Sequence, residues 1–282
     1  MKIIAKIATM QTLSRRFRLK GKTIGFVPTM GYLHEGHLSL IRRSKRETDI
    51  TVLSIFVNPK QFGPKEDFRR YPRDKNRDYR LAKKENVDII LHPSEKEMYP
   101  SGFFTEVKTL RLSEGLCGAF RPGHFRGVTT VVSKLLNIVG PDVLYLGQKD
   151  FQQAVILKKM VADLNFSAQV RICPTIRDKD GLAMSSRNKY LTRPQRQEAA
   201  MIYLALKKAK ALIHQGEKRA AVSKRLIWDM LLKTRTRKID YIECVDAETL
   251  RPLKIIKGKL AIALAVWFGR TRLIDNIIVD IS

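Results

Sequence analysis

With 282 residues, 44% hydrophobic and 29% charged, the chain can fill one large or two modest cores, which points to a globular protein and not a disordered or membrane-spanning one. Fifty-four Lys and Arg against 27 Asp and Glu leave a formal charge of +27, but the cations are dispersed and no aromatic-interleaved basic patch occurs, which argues against a dedicated nucleic-acid reader. The longest uncharged apolar run, 260–268, is too short for a bilayer, and Cys117, Cys173 and Cys244 form no Cys-x-x-Cys, so no helical span, disulfide framework or zinc site is expected.

In chain order, Lys2 and Lys6 interrupt the start and leave no signal-peptide core, so a reducing cytoplasm is the expected location. Residues 23–27 read as a short buried strand, followed by a turn rich in Gly and His and a helical pattern ending near Glu47. Residues 50–57 are nearly continuous in apolar and β-branched side chains, as a parallel strand covered on both faces requires. A polar segment, 60–84, leads to a third strand at 87–91. Val128, Val131, Val132, Leu135, Leu136 and Val139 form the apolar stripe of a helix over 127–139. Residues 142–146 read as a strand, 151–164 as a helix and 170–174 as a strand. This alternation predicts a Rossmann-like α/β domain, a doubly wound parallel sheet, over 1–175. Helical stretches at 194–215 and 217–234, then strands at 239–245, 259–267 and 273–279, predict a smaller C-terminal α+β domain over 176–282. The densest basic stretch, 193–238, has 13 Lys and Arg against three Asp and Glu, spaced as the solvent faces of two helices.

Ligands of open α/β sheets bind beyond the carboxyl ends of the strands, and three predicted strands end in polar motifs. The first leads into Pro28-Thr-Met-Gly31-Tyr-Leu-His34-Glu-Gly-His37. Two imidazoles three residues apart can leave one helix face together. Backbone N–H groups there are unpaired and carry the positive end of the dipole, a seat for phosphate. Pro28 and Gly31 set the turn, and Gly36 lets a ligand approach the backbone. For one imidazole alone, capping the helix or packing on the sheet is the plainer assignment. The second strand runs into Asn58-Pro-Lys-Gln61, whose amides suit hydroxyls and a carboxylate, although Asn-Pro is also ordinary turn chemistry.

The third strand ends in Gly147-Gln148-Lys149-Asp150-Phe-Gln-Gln153. Gly147 allows close backbone approach, and Lys149 at a helix start is favoured when it faces an anion. Asp150 is placed to cap the helix, to accept from a ribose hydroxyl or to help hold a metal ion. Gln153 lies one turn on. Finally, Met184-Ser185-Ser186-Arg187-Asn188 offers two hydroxyls and a planar guanidinium to the β- and γ-phosphates of a nucleotide, whereas alone it would read as a surface loop.

His34-Glu-Gly-His37 after a strand resembles the signature of the nucleotidyl-transferring superfamily that includes class I aminoacyl-tRNA synthetases, and the Ser-Ser-Arg loop resembles its Lys-Met-Ser-Lys-Ser loop. Further motifs are Ser54-Ile-Phe-Val-Asn-Pro59, Gln61-Phe-Gly63, Tyr71-Pro-Arg73, Arg121-Pro-Gly-His-Phe-Arg-Gly127 and Thr271-Arg-Leu-Ile-Asp-Asn276. Together, in this order and over essentially the whole chain, they resemble the pantothenate synthetase (pantoate–β-alanine ligase) family. The resemblance implies ATP-dependent ligation, in which pantoate attacks the α-phosphate of MgATP and β-alanine then attacks the pantoyl adenylate. ATP and Mg2+ are the implied cofactors, with no protein metal ligands named. Met30, Gly31, Tyr32, Leu33, His34, Glu35, Gly36 and His37 would line the ATP site. Gly147, Asp150, Ile176 and Met184 would surround the adenosine, and Gln148 would line the ATP site. His34, His37, Lys149, Ser185, Ser186 and Arg187 would stabilise the phosphates as charge develops. The family's second imidazole, here His37, is commonly described as a proton donor; displacement at phosphorus favours an electrostatic role.

By the same resemblance Gln61 and Gln153 would hold pantoate, Gln61 also β-alanine, with Asn58, Tyr71, Arg121 and His124 nearby. The C-terminal domain would act as a lid, and the chain would pair as a homodimer through its N-terminal domain. Departures from the family pattern are Phe151 (often Tyr), Ile176 (often Val) and Arg77, where an acidic residue is common. The +27 charge is also outside the family's usual balance. Two other readings compete: a nucleotidyltransferase that stops at an adenylated product, against which Gln61 and Gln153 argue, and a nucleic-acid binder, which would show steep salt dependence and no ATP turnover.

Overall fold

The computed structural model describes residues 1–64 and 66–281, apart from the side chain of Arg237. The chain divides into two compact units. Unit 1 comprises Met1–Leu110, Arg121–Gly147 and Gln153–Pro174; unit 2 comprises Arg111–Phe120, Gln148–Gln152 and Thr175–Ser282.

Unit 1 begins with β1 (Lys2–Ile4) and α1 (Ile7–Leu19), both unmarked by the sequence patterns above. Then come β2 (Ile24–Thr29), α2 (Glu35–Glu47), β3 (Ile50–Ile55), α3 (Lys75–Lys84), β4 (Ile89–Leu91) and the single turn α4 (Glu95–Met98). The short α5 (Cys117–Phe120) belongs to unit 2; α6 (His124–Val139), β5 (Val143–Gly147), most of α7 (Phe151–Asp163) and β6 (Gln169–Cys173) complete unit 1. The polar segment expected over 60–84 contains α3, whose N-cap Asp74 accepts from the Arg77 N–H at 3.0 Å.

The six strands are parallel in the order β1-β4-β3-β2-β5-β6. Successive strand side chains alternate between faces, and here both faces are buried. Ile24, Phe26, Val52 and Leu144 join a core with Met10 of α1, Val132 and Leu136 of α6 and Leu157 of α7. Val27, Leu53, Ile90 and Tyr145 join a second core with Leu40 and Ile41 of α2 and Ala82 of α3. Each such side chain contributes roughly 1.5–3 kcal/mol on burial, which is why the strands read as unbroken apolar runs. This is the expected doubly wound sheet. The chain moves outward from β2 to β3 and β4, then returns to β5 on the other side of β2, so the strand order reverses between β2 and β5, where ligands of such sheets bind.

In unit 2, α8 (Arg193–Ala199), α9 (Met201–His214) and α10 (Ala220–Leu231) precede an antiparallel sheet of β7 (Thr236–Asp246), β8 (Gly258–Phe268) and β9 (Thr271–Ile281). The single helix expected over 194–215 is two helices, the first opened by a Thr192–Gln195 capping box with Pro194 in its first turn. Leu260, Ile262, Leu264, Val266 and Phe268, alternate residues of β8, pack with Ile202, Leu206 and Ile227 of α9 and α10. All three cysteines are free and buried. Among the described residues no helix is long and apolar enough to cross a membrane.

Candidate active site

The turn after β2 is built from the backbone outward. Thr29 Oγ1 donates to the Ser54 carbonyl at 2.7 Å and accepts from the Gly31 N–H at 3.1 Å, which ties the end of β2 to β3. Gly31 has φ +80°, and a Cβ there would lie 2.9 Å from Asp78 Oδ2 and 3.0 Å from Ile55, so only glycine fits. The next two N–H groups, of Tyr32 and Leu33, donate to the two carboxylate oxygens of Asp78 at 2.8 and 2.7 Å. Burial pushes the Asp78 carboxyl above its usual range, against the pull of the two N–H donors. The guanidinium of Arg77 lies 5.0 Å from the Tyr32 ring centroid.

Both imidazoles belong to the start of α2. His34 is the N-cap, its Nδ1 accepting from the Gly36 N–H at 3.2 Å, while His37 Nδ1 accepts from the His34 N–H at 3.3 Å. The rings lie 4.0 Å apart between centroids at 33°. With each Nδ1 an acceptor, the proton of each neutral ring sits on Nε2, the donor an anion needs. The capping role that is the plainer assignment for one imidazole alone is thus filled by both rings. Glu35 accepts from Arg42 at 2.6 Å, and this bond holds its carboxyl below the usual range.

The second motif forms one hydrogen-bonded network. Asn58, 1% exposed, donates through Nδ2 to Gln61 Oε1 at 3.1 Å and to the Gly127 carbonyl at 3.0 Å. Its Oδ1 accepts from the Tyr99 hydroxyl at 2.8 Å and the Lys60 N–H at 3.3 Å. All four hydrogen-bonding positions of that amide are therefore taken. Gln61 donates from Nε2 to Met30 Sδ at 3.0 Å, joining this network to the first turn, and keeps one N–H and one oxygen lone pair in reserve. The Arg121-to-Gly127 motif braces the other side. His124 Nδ1 donates to the Gln61 carbonyl at 2.7 Å, its Nε2 accepts from Arg121 at 3.0 Å, and Arg121 pairs with Glu66 through two nitrogens. A Cβ on Gly127 would stand 2.1 Å from the Lys60 carbonyl oxygen, so glycine is what lets α6 press on this loop. Tyr71 packs edge-on against Phe62 at 5.8 Å. Gln153, in the first turn of α7, makes no side-chain hydrogen bond among the described residues.

Apart from Gly147, which ends β5 in unit 1, the other motifs lie in unit 2. β5 ends at Gly147, around whose missing Cβ there is open space, and Gln148–Asp150 forms a 3-10 turn in which Lys149 Nζ lies 3.4 Å from Asp150 Oδ1. The Lys149 side chain is 20% exposed. Ile176 and Met184 are neighbours across a backbone bond of 3.0 Å. Ser185 caps the turn Ser186–Tyr190, its Oγ accepting from the Arg187 N–H at 3.2 Å, and Asn188 Nδ2 donates to the Ala183 carbonyl at 3.0 Å. The sequence patterns singled out neither Asp78, Tyr99 nor Glu66 as part of this machinery. Among the described residues there is no group of three or more His, Cys, Asp or Glu placed to hold a metal ion.

A sequence profile described as pantoate-beta-alanine ligase matches residues 2–278. A pantothenate synthetase of Caldicellulosiruptor saccharolyticus is 54% identical over the full length of both chains. A crystal structure of pantothenate synthetase from Thermus thermophilus superposes with a TM-score of 0.93 at 42% identity, covering 98% of this chain and 99% of that one. A pantoate-beta-alanine ligase from Francisella tularensis, solved in complex with beta-gamma ATP and β-alanine, is 36% identical with a TM-score of 0.80, covering 98% and 97% of the two chains.

Proposed function

The chain belongs to the pantoate-beta-alanine ligase family, and on that premise we propose that it condenses pantoate with β-alanine, using ATP and passing through pantoyl adenylate. A pantoate carboxylate oxygen forms a bond to the α-phosphorus as the bond to pyrophosphate breaks. The β-alanine nitrogen then bonds to the activated carbonyl carbon, loses a proton and expels AMP.

His34 and His37 present Nε2–H donors at the positive end of α2, where α-phosphate charge builds; this cap geometry is the observation that carries the reading. Lys149, Ser185, Ser186 and Arg187 share that charge, and the residues from Met30 to His37 with Gly147, Gln148, Asp150, Ile176 and Met184 receive the nucleotide. Gln61 and Gln153 hold pantoate with the amide capacity they keep in reserve, and Gln61 also meets β-alanine. Asn58, Tyr71, Arg121 and His124 hold Gln61 and its loop in place, since the Asn58 amide is already fully engaged. Mg2+ bound with the nucleotide would supply further charge neutralisation at the triphosphate. The reading includes a cytoplasmic homodimer joined through unit 1.

The test is AMP release by purified protein with MgATP, pantoate and β-alanine, omitting each in turn. Full release should need all three, and pyrophosphate release should need only MgATP and pantoate. AMP release that ignores pantoate would defeat the proposal.

A further inference from the structure

The motif Thr271-Arg-Leu-Ile-Asp-Asn276 lies on β9, and the proposed chemistry gives it no task. Asp275 pairs with Leu264 of β8 and Asn276 with Ala263, so the two side chains leave opposite faces of the sheet. Both are buried, at 3% and 2% exposure. Asn276 Nδ2 donates to the carbonyls of Gln148 at 2.9 Å and Lys149 at 3.0 Å, and its Oδ1 accepts from Gln148 Nε2 at 3.3 Å. One amide thus fixes three points of the turn that carries Lys149.

Asp275 does comparable work on the other face. It forms a two-pronged ion pair with Arg177, at 2.6 and 2.9 Å, and Arg177 donates to the Gly181 carbonyl at 3.1 Å and the Asn276 carbonyl at 3.3 Å. The guanidinium also stacks 3.6 Å from the Tyr203 ring centroid. Arg177 bridges to Ala183, whose carbonyl accepts from Asn188. Two consecutive residues of one strand therefore anchor both phosphate-handling segments of unit 2.

We propose that Asn276 is a positioning residue for adenylation, setting the height and direction of Lys149, while Asp275 acts through Arg177 on the loop that ends in Ser185, Ser186 and Arg187. The inference rests on the reading that Lys149 meets the nucleotide. A lysine on a four-carbon stem stabilises charge only where its backbone is held, and displacement by about 1 Å can cost 10²-fold in rate.

The experiment measures pyrophosphate release with MgATP and pantoate for wild type, Lys149→Ala, Asn276→Ala, Asn276→Ser and the double variant Lys149→Ala/Asn276→Ala, with a melting curve for each. Asn276→Ala should lower kcat by about 10- to 10²-fold and leave the pantoate KM within about twofold. The double variant should be no slower than Lys149→Ala by more than about twofold, because two changes acting through one group do not add. Asn276→Ser, which keeps one short donor, should fall between wild type and Asn276→Ala. If Asn276→Ala does not fold, Asn276→Ser in the presence and absence of Lys149→Ala carries the same comparison. A loss that multiplies that of Lys149→Ala, or a pantoate KM that rises as kcat falls, overturns the positioning role alone. Full activity of Lys149→Ala overturns the functional reading and this inference with it.

Discussion

Asp78 holds Leu33 through a 2.7 Å hydrogen bond from the Leu33 N–H to its Oδ1, and the same carboxylate takes the Tyr32 N–H on its other oxygen. A side chain from α3 thus supplies the acceptors that the backbone of a tight turn lacks. Asp78→Ala should cost about 2–3 kcal/mol, the range for leaving buried donors unpaired, and should slow pyrophosphate release by at least about tenfold through the displaced cap. Urea unfolding with turnover assays decides it; wild-type values for both would remove Asp78 from the design.

His37 has two separable duties, its Nδ1 receiving the His34 N–H and its Nε2 facing the phosphate in the proposed mechanism. His37→Ala should lower the adenylation rate by about 10²–10³. His37→Asn offers a carbonyl to the same N–H without the Nε2 donor, so it should recover most of the thermal stability and none of the rate. Recovery of rate by Asn would show that capping alone matters.

Gln153 and Asn58 should separate in kinetics. Gln153→Ala removes an amide with no other partner among the described residues and should raise the pantoate KM about tenfold, the loss of one to two uncompensated hydrogen bonds, with the ATP KM unchanged. Asn58→Ala strips Gln61, Tyr99 and Gly127 of their shared partner and should lower stability by about 1–3 kcal/mol as well. Equal effects of Gln153→Ala on both substrates would count against its assignment.

Much of the local structure of the candidate site is legible because its motifs directly follow strands, and a Gly- or Asn-rich stretch after an apolar run announces a turn. The doubly wound sheet was legible for the same reason: β2 and β3 are apolar on both faces. What stayed hidden are partners supplied from far along the chain. Asp78 lies 46 positions from Tyr32, and Tyr99 and Gly127 lie 41 and 69 from Asn58. No local pattern marks a buried carboxylate that serves another segment's backbone. No long apolar stripe marks α3, where six of ten residues are charged, or α1, whose buried residues are only Met10 and Ser14.

Asp49 should contribute an acid-labile share of the stability. The Thr23 N–H, with Lys22 and the Thr23 hydroxyl, pulls its carboxyl down to about 2 from 3.8. A carboxylate whose folded pKa is depressed stabilises the fold above its unfolded pKa and loses that contribution as pH falls through the folded value. The gap in thermal midpoint between wild type and Asp49→Asn should therefore be full near neutrality and close between about pH 4 and pH 2. A gap that stays constant over that range would rule the linkage out.

The path of the backbone has a consequence for how the protein is made. The chain passes between its two units five times, and the Lys149 carbonyl waits for a donor 127 residues downstream. A polypeptide released before β9 leaves the ribosome would contain the paired imidazoles, the Gln61 and Gln153 amides and the Ser-Ser-Arg loop, yet its lysine would lack an anchor. Nor does severing the molecule after Pro174 yield two self-sufficient halves, since each fragment would keep pieces whose neighbours went with the other.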